Sequence, residues 1–370
     1  MRKKQVAVID VGSSKITAVV GERGINKTFV IKGKSSYEYD GFEGGTFFNA
    51  EHLKRILFAI AEMINKTAGG IIDTVYVGVP GEFTQVMVKD SQISFAKKKR
   101  IQEEDVDALF DAAFVMTSAK HTLINRSAVV YELDDFRRLA NPVGSVSSIL
   151  KGKLSFVLCT NYFIEAVKPA LVAAGIKNVE CVSSALAQAM YLIDAETRDR
   201  TAILADIGYI TTTFTIIQGD GLLYQKSFAY GGGYITAELS EKFGLDFAVA
   251  ERLKKKISLS QLSSSASYDL IEADNGEYYN LTELQQAVKN SLDGLCESIE
   301  ETIEQSGYII PEYVPLMITG GGISYIRGAK EHVSGRLNTI VSVIAPKVPL
   351  MDKPTESTTL SLLDIALEQR

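Results

Sequence analysis

Three cysteines, three histidines and no run of about 20 apolar residues mark what this 370-residue chain has little of. Cys159, Cys181 and Cys296 are odd in number, scattered, and set inside strand or helix patterns. That excludes a disulfide framework and points to reduced thiols. His52, His121 and His332 share no metal-ligand spacing and read as surface or packing residues. Without a long apolar run no helix is expected to span a membrane, and Met1-Arg-Lys-Lys leads at once into a strand-like segment rather than a signal peptide. Net positive charge is missing too: the formal balance is −6, so no bulk field draws in nucleic acid. Lys97 to Arg100 and Lys254 to Lys256 are local basic runs, read as solvated surface. Hydrophobic residues are plentiful at 46%, enough for a large core divided between two lobes.

One short pattern occurs twice. Val6 to Ser14 and Thr201 to Thr211 are each an apolar run, then an aspartate (Asp10, Asp206), then a glycine (Gly12, Gly208) with small hydroxyl residues, then a second β-rich run from Lys15 or Thr212. Strand, tight turn, strand is the implied unit. Glycine lets the backbone approach a ligand closely, successive N–H groups and hydroxyls bind phosphate oxygens, and the aspartate holds a hydrated divalent metal. Two such hairpins facing each other form a clamp. A third element, Leu316 to Gly328, is an apolar run ending in Thr319-Gly320-Gly321-Gly322, where adjacent glycines leave room for a flat ring, with Tyr325 close behind. Between them lie Gly231-Gly232-Gly233, ahead of a helical stretch from Ile235 to Phe243, and Glu251 with Lys254, three apart on one helix face and able to reach a ribose hydroxyl and a purine edge.

In this order the motifs resemble the actin-like ATPase superfamily: Asp10 to Lys15 its first phosphate motif, Asp206 to Thr212 its second, Thr319 to Gly322 its adenosine motif. The segment between the hairpins chooses the branch. Glu103-Glu-Asp105 opens a helix with Val106, Leu109, Phe110 and Ala113 on one face, and Asn141-Pro-Val-Gly144 forms a turn, both flanked by strand-like runs. This resembles the inserted subdomain IC of the cell-division protein FtsA family. The implied fold is α/β, a two-lobed actin-like (ribonuclease H-like) ATPase fold with that insertion. Its divisions would be 1–79 (IA), 80–159 (IC), 160–199 (IA), 200–230 (IIA), 231–307 (IIB, with a serine-rich loop from Ser258 to Ser267) and 308–370 (IIA, with the helix Ser357 to Glu368 in its core).

The resemblance also implies ATP with Mg²⁺ between the lobes. Asp10 and Asp206 would hold the metal, largely through water. The N–H groups of Gly12, Ser13 and Ser14 with Lys15 would hold phosphates, Gly208, Thr211 and Thr212 would form the opposite jaw, and Gly232, Gly233, Glu251, Lys254, Gly320, Gly321, Gly322 and Tyr325 would line the nucleoside side. No residue offers itself to position an attacking water, and Tyr209 and Ile210 replace two glycines of the usual second motif. Both argue for binding with slow turnover or none. Implied partners are the FtsZ C-terminal tail near Lys289 and Asn290, further copies in a head-to-tail filament, and later division proteins at subdomain IC, at the cytoplasmic face of the membrane. Family members attach there through a C-terminal amphipathic helix; this sequence stops at Arg370, so attachment would need a segment not included in it or another route. A pilus-assembly adaptor of the PilM type stays open as an alternative, and a small-molecule kinase of the superfamily is a more distant one.

Overall fold

The structure is a computed structural model and describes residues 5–25, 28–68, 72, 74–114, 119–260 and 269–368. Met1 to Lys4 and residues 261–268 of the serine-rich stretch lie outside the described residues. The first lobe begins with β1 (Gln5–Val11), β2 (Lys15–Arg23), β3 (Phe29–Glu38), a short ribbon of β4 (Phe42–Glu43) and β5 (Thr46–Phe47), helix α1 (Ala50–Ala68) and β6 (Thr74–Val79). An insertion follows: β7 (Thr84–Arg100), α2 (Glu103–Ala113), β8 (His121–Leu133), β9 (Arg138–Leu139) and β10 (Val146–Thr160). The chain returns through α3 (Asn161–Ala173), β11 (Asn178–Ser183), α4 (Ser184–Leu192) and α5 (Ala195–Asp199). The second lobe holds β12 (Ala202–Ile207), β13 (Thr212–Gln218), β14 (Gly221–Phe228), α6 (Gly232–Phe243), α7 (Phe247–Lys256), β15 (Leu270–Glu272), β16 (Tyr278–Asn280), α8 (Leu281–Ser306), β17 (Leu316–Thr319), α9 (Ala329–Leu337), β18 (Val341–Val343) and α10 (Ser357–Glu368).

The two lobes repeat one sheet. Reading across, the first is β3-β2-β1-β6-β11 and the second β14-β13-β12-β17-β18. In both, the aspartate strand pairs antiparallel with its hairpin partner and parallel with the strand on its other side. Continuous apolar runs suit such central strands, since both faces are covered: β1 buries Val6, Ala7, Val8, Ile9 and Val11. One face of the first sheet packs Ile9, Ile16 and Val77 against Leu57, Ile60 and Ile64 of α1 and Phe163 and Leu171 of α3. The second lobe's core joins Ala205, Phe214 and Ile318 to the α8 stripe Leu284, Val288, Leu292, Leu295 and Ile299. Asn280 starts α8 by accepting the Glu283 N–H at 3.2 Å, and Gly307 ends it at φ 68°, a conformation that glycine adopts without penalty.

The inserted sheet, β7-β10-β8-β9, is built on the long β7–β10 ladder, with α2 packed through Leu109 and Phe110. It touches the second lobe as well as the first: Ser155 Oγ donates to Leu222 O at 2.7 Å, and the Asp220 N–H to Ala128 O at 3.1 Å.

One sequence expectation is corrected here. The apolar face of α10 does not join the second lobe's core. Leu360, Leu362, Leu363 and Ala366 pack on Val6, Val8, Val19 and Val182 of the first sheet. Each such fully buried leucine contributes on the order of 2 kcal/mol relative to exposure, so the crossing is strongly held. The physical reason is that the first sheet's second face would otherwise lie bare, and the α10 stripe covers it. Beside α10, α4 carries Ala185, Leu186 and Ala189 into a cluster with Ala202, Leu204, Ile217 and Met317 of the second lobe, and Ala187 into the α10 cluster. Small residues along α4 let both sheets close on it, so α4 and α10 form the floor on which the lobes meet.

Candidate functional site

The two hairpins confront each other across a cleft of about 1000 Å³. Their backbones are set by the same device: Gly12 N–H donates to Lys15 O at 3.0 Å, and Gly208 N–H to Thr211 O at 2.9 Å. The Gly12 amide is therefore spent within its turn, a correction to its expected role as a phosphate donor. Direct contact joins the jaws, because the Ile210 N–H donates to Ser13 Oγ at 3.1 Å. Gly41, at φ 89°, closes over that contact; a Cβ there would fall 2.2 Å from Ser13 O and 2.9 Å from Ile210 Cδ1.

Asp10 and Asp206 sit at equivalent places, opposite Thr17 and Thr213 in their hairpins. Burial pushes the Asp10 carboxyl up to about 7; the Thr359 hydroxyl, donating to Oδ2 at 3.0 Å, opposes this, and the Asp206 charge adds to it. Burial also raises Asp206, against a 2.8 Å hydrogen bond from the Gln188 amide. That same Gln188 nitrogen donates to Thr358 Oγ1 at 2.8 Å, tying α4 to α10 beneath the cleft. Desolvation raises both carboxyls, and the Asp206 charge raises Asp10 further, a strain that a cation would relieve.

Elsewhere in the cleft wall, Glu251 Oε2 accepts from Lys254 Nζ at 2.7 Å, from the Thr236 hydroxyl, and from Tyr209 Oη at 3.3 Å. Burial disfavours the Glu251 charge, but the hydrogen bonds from Lys254, Thr236 and Lys255 outweigh it and hold the carboxyl below its ordinary range. Lys254 is fully buried, its ammonium also donating to Gly232 O and Thr236 Oγ1 at 2.7 Å each, between the Tyr209 and Tyr325 rings. It braces α6 and α7 and does not line the cleft, whereas Glu251 does. Tyr209 is turned toward this cluster: a Cβ on Gly233 would meet its ring at 3.1 Å. The ring that replaces a glycine thus rests on the start of α6.

Of the residues singled out from sequence, Asp10, Gly12, Ser13, Ser14, Lys15, Asp206, Gly208, Thr211, Glu251, Gly320, Gly321 and Tyr325 line one cleft. Thr212, Gly232, Gly233, Lys254 and Gly322 lie behind its wall. Gly232 N–H donates to Gly208 O at 2.9 Å, Gly233 N–H to Tyr209 O at 2.7 Å and Gly322 N–H to Ile207 O at 2.8 Å, so these glycines seat the second hairpin. The Thr212 hydroxyl donates to Tyr230 O. Gly320, at φ 89°, passes so close to the second carboxylate that a Cβ would lie 2.4 Å from Asp206 Oδ1. Lys289 and Asn290 are far along the chain on α8, half-buried and exposed, with Asn290 Oδ1 accepting from Gln286 at 2.8 Å. Sequence reasoning missed Tyr39, Ser184, Gln188, Thr355 and Thr358, all in the cleft wall, and Thr359 on Asp10. The available signal was polarity in the wrong place: a glutamine in an alanine-rich helix and paired threonines opening an apolar one.

Comparison with known proteins places this architecture. The sequence model of the family described as type IV pilus assembly protein PilM matches residues 159–361, more than half of the chain. The chain belongs to that family. It is also FtsA-like along its length: it is 21% identical over 381 residues to the cell division protein FtsA of Pseudomonas aeruginosa, covering 99% of this chain and 90% of that protein. Among solved structures, a PilM–PilN type IV pilus biogenesis complex superposes with a TM-score of 0.67 at 16% identity, covering 100% of both chains. MreB5 of Spiroplasma citri bound to AMPPNP matches with a TM-score of 0.56 at 12% identity, covering 99% of this chain and 96% of that one. The fold is that of the actin-like ATPases, two-lobed and α/β, as the sequence motifs implied.

Proposed function

We propose that this protein is an ATP-binding scaffold of the FtsA type, with slow hydrolysis or none, that links FtsZ filaments of the division septum to the cytoplasmic membrane. The observation that carries the nucleotide reading is the pair of facing hairpins, with Asp10 and Asp206 set over one cleft of about 1000 Å³. The residues fit the ligand. Gly12, Gly208, Gly320 and Gly321 keep the walls low, and Ser184 Oγ and Tyr325 Oη are buried hydroxyls of cleft residues without a protein partner. Asp10 and Asp206 would hold Mg²⁺, chiefly through water. Ser13, Ser14 and Lys15 would hold phosphate oxygens, and Glu251 and Tyr325 would border the nucleoside. Bound Mg²⁺ would neutralise phosphate charge between the jaws. The protein's own groups fix the lobe angle, and with it the surface offered for head-to-tail assembly.

Asp10→Ala tests this reading: it should abolish the melting shift that ATP with Mg²⁺ produces in the native protein, and an unchanged shift would remove the clamp. For the partner, fluorescence anisotropy with an FtsZ-tail peptide on folded, ATP-loaded protein should show binding lost on Lys289→Glu. No binding at high micromolar peptide would sink the FtsZ assignment. A second reading, a PilM-type adaptor that holds a peptide of an inner-membrane protein, is favoured by the family match over residues 159–361 and by full two-way coverage of the PilM–PilN complex chain. A PilN-derived peptide in the same assay separates the two.

A further inference from the structure

The inserted sheet ends in a tip that lies outside the cleft. β7 enters the sheet at Thr84 and β10 leaves it at Thr160, and the far end of their ladder pairs Arg100 with Val146. Just before that end the register jumps from Ser94 opposite Ile149 to Lys99 opposite Ser147. Phe95, Ala96, Lys97 and Lys98 therefore face Ser148 alone, and the strand bows outward. The β8–β9 turn, 134–137, lies against the same point: Asp134 accepts from the Ser148 hydroxyl at 2.6 Å and pairs with Lys98 at 3.3 Å. Arg100 ties in a further turn, 141–144, by donating to Gly144 O at 3.2 Å.

Two kinds of side chain collect there. Lys97, Lys98, Lys99, Arg100, Arg137 and Arg138 are all exposed. Asp134 and Asp105, which pair with Lys98 and Lys99, are turned inward, their side chains 12% and 14% exposed, and Asp135 is held by Arg137 at 2.7 Å. Glu103 and Glu104 open α2, which packs on the sheet face away from Lys151. Among the cations stand the exposed apolar side chains Phe136, Val143 and Val146. Phe136 is 77% exposed at φ 62°, a conformation costly for a bulky residue, and its ring meets the Lys151 ammonium at 5.8 Å. The core gains no packing from this strained residue, which marks it as serving a contact outside the chain.

We propose that this tip is a membrane-contact site that seats on an anionic lipid surface, with Phe136 entering the headgroup boundary and the surrounding cations meeting lipid phosphates. Cations around exposed apolar side chains match a surface that is negative outside and apolar beneath. Side chains borne on two turns and a bulge project outward, which suits a planar surface. The inference rests on the membrane half of the reading above and needs neither nucleotide nor FtsZ.

Co-sedimentation of the full chain with phosphatidylcholine vesicles, with and without phosphatidylglycerol, tests it on native protein, on Phe136→Gly and on the double variant Lys97→Glu, Arg137→Glu. Native protein should bind the phosphatidylglycerol vesicles and be released as salt rises. Phe136→Gly should weaken this about tenfold, the order expected for withdrawing one aromatic side chain from lipid, and the double charge reversal at least as much. Glycine adopts the φ of position 136 without penalty, so Phe136→Gly should melt close to the native protein and its weaker binding reports the ring. Native protein that ignores both kinds of vesicle, equal binding to both, or variants that bind as tightly as native each overturns the proposal. So does a polyglutamate peptide that native protein holds and the variants lose while vesicles stay unbound, which would assign the tip to an acidic protein. If vesicles bind through the tip while the ATP and FtsZ-tail assays fail, the scaffold reading falls and this contact stands; if those assays succeed and vesicles are ignored, only the tip falls.

Discussion

The two hairpins share a backbone and differ in what holds them. In the first, the turn residues are Ser13 and Ser14, and one main-chain bond, Tyr39 N–H to Ser14 O at 3.2 Å, is joined by two hydroxyls, Tyr39 Oη donating to Gly12 O at 2.8 Å and Thr359 to Asp10. In the second, main chain holds main chain: the carbonyls of Ile207, Gly208 and Tyr209 accept the N–H groups of Gly322, Gly232 and Gly233. The second jaw thus has three main-chain seats where the first has one, and more of the first jaw's support comes from hydroxyls.

Glycine substitutions give the largest expected contrast. A Cβ on Gly322 would lie 2.4 Å from the Gly208 carbonyl oxygen, fixed backbone, whereas one on Gly78 would lie 2.4 Å from Leu362 Cδ1, the end of a movable side chain. Gly322→Ala should cost about 3 kcal/mol in urea denaturation and Gly78→Ala about 1–2 kcal/mol; equal costs would erase the distinction between the seats. Next comes charge. Asp10 titrates higher in the fold, about 7, than in the unfolded chain, near 3.8, so the folded state binds the extra proton between those values and stability falls as pH rises through that window. In metal-free buffer, Asp10→Asn should be more stable than the native protein at pH 8 by roughly 2 kcal/mol and indistinguishable at pH 4. A native stability that rises with pH over this range would contradict the buried placement of Asp10.

Smaller effects probe the join between the jaws. Ser13→Ala removes the acceptor of the Ile210 N–H and should cost about 1 kcal/mol of ligand-free stability. If the cost is nil, the lobes are not held together at this point. Tyr209→Phe deletes the 3.3 Å bond to Glu251 and a bond with the Thr236 hydroxyl, and should cost about 0.5–1 kcal/mol, because Lys254, Thr236 and Lys255 still satisfy the carboxylate. A loss several times larger would mean that Tyr209, rather than Lys254, is the brace.

Much of the fold was legible because apolar runs and punctuation agreed. The helix opened by Glu103, the helical stretch that ends at Phe243 and the span Ser357–Glu368 stand where the sequence pattern put them. Helical periodicity states that α10 has an apolar face but not which sheet it covers, so its crossing to the first lobe could not be read. Glycine motifs were legible as a set and not in their division of labour: Gly320 and Gly321 face the cleft, while Gly322 and Gly232 meet back to back, where a Cβ on Gly232 would be 2.4 Å from Gly322 O. Spacing put Lys254 on one helix face with Glu251, and the two do pair, but its readings as solvated surface and as a group reaching the nucleoside are both overturned, because it is fully buried behind the cleft wall. Its complete burial depends on Tyr209 and Tyr325, contributed from distant parts of the chain. Gln188 and Thr359 act through contacts with residues 18 and 349 positions away, beyond any local pattern.

The crossing of α10 bears on how the chain is made. Synthesis runs from the amino end and early domains generally fold first, yet the face of the first sheet bearing Val6, Val8 and Val19 is covered by residues 360–366. The first lobe thus cannot complete its own packing while it is the only part outside the ribosome. Its sheet waits, apolar face uncovered, until residues 360–366 have been translated. The last helix supplies both the missing half of that core and the hydroxyl on Asp10, so closing the fold and furnishing the site are one event.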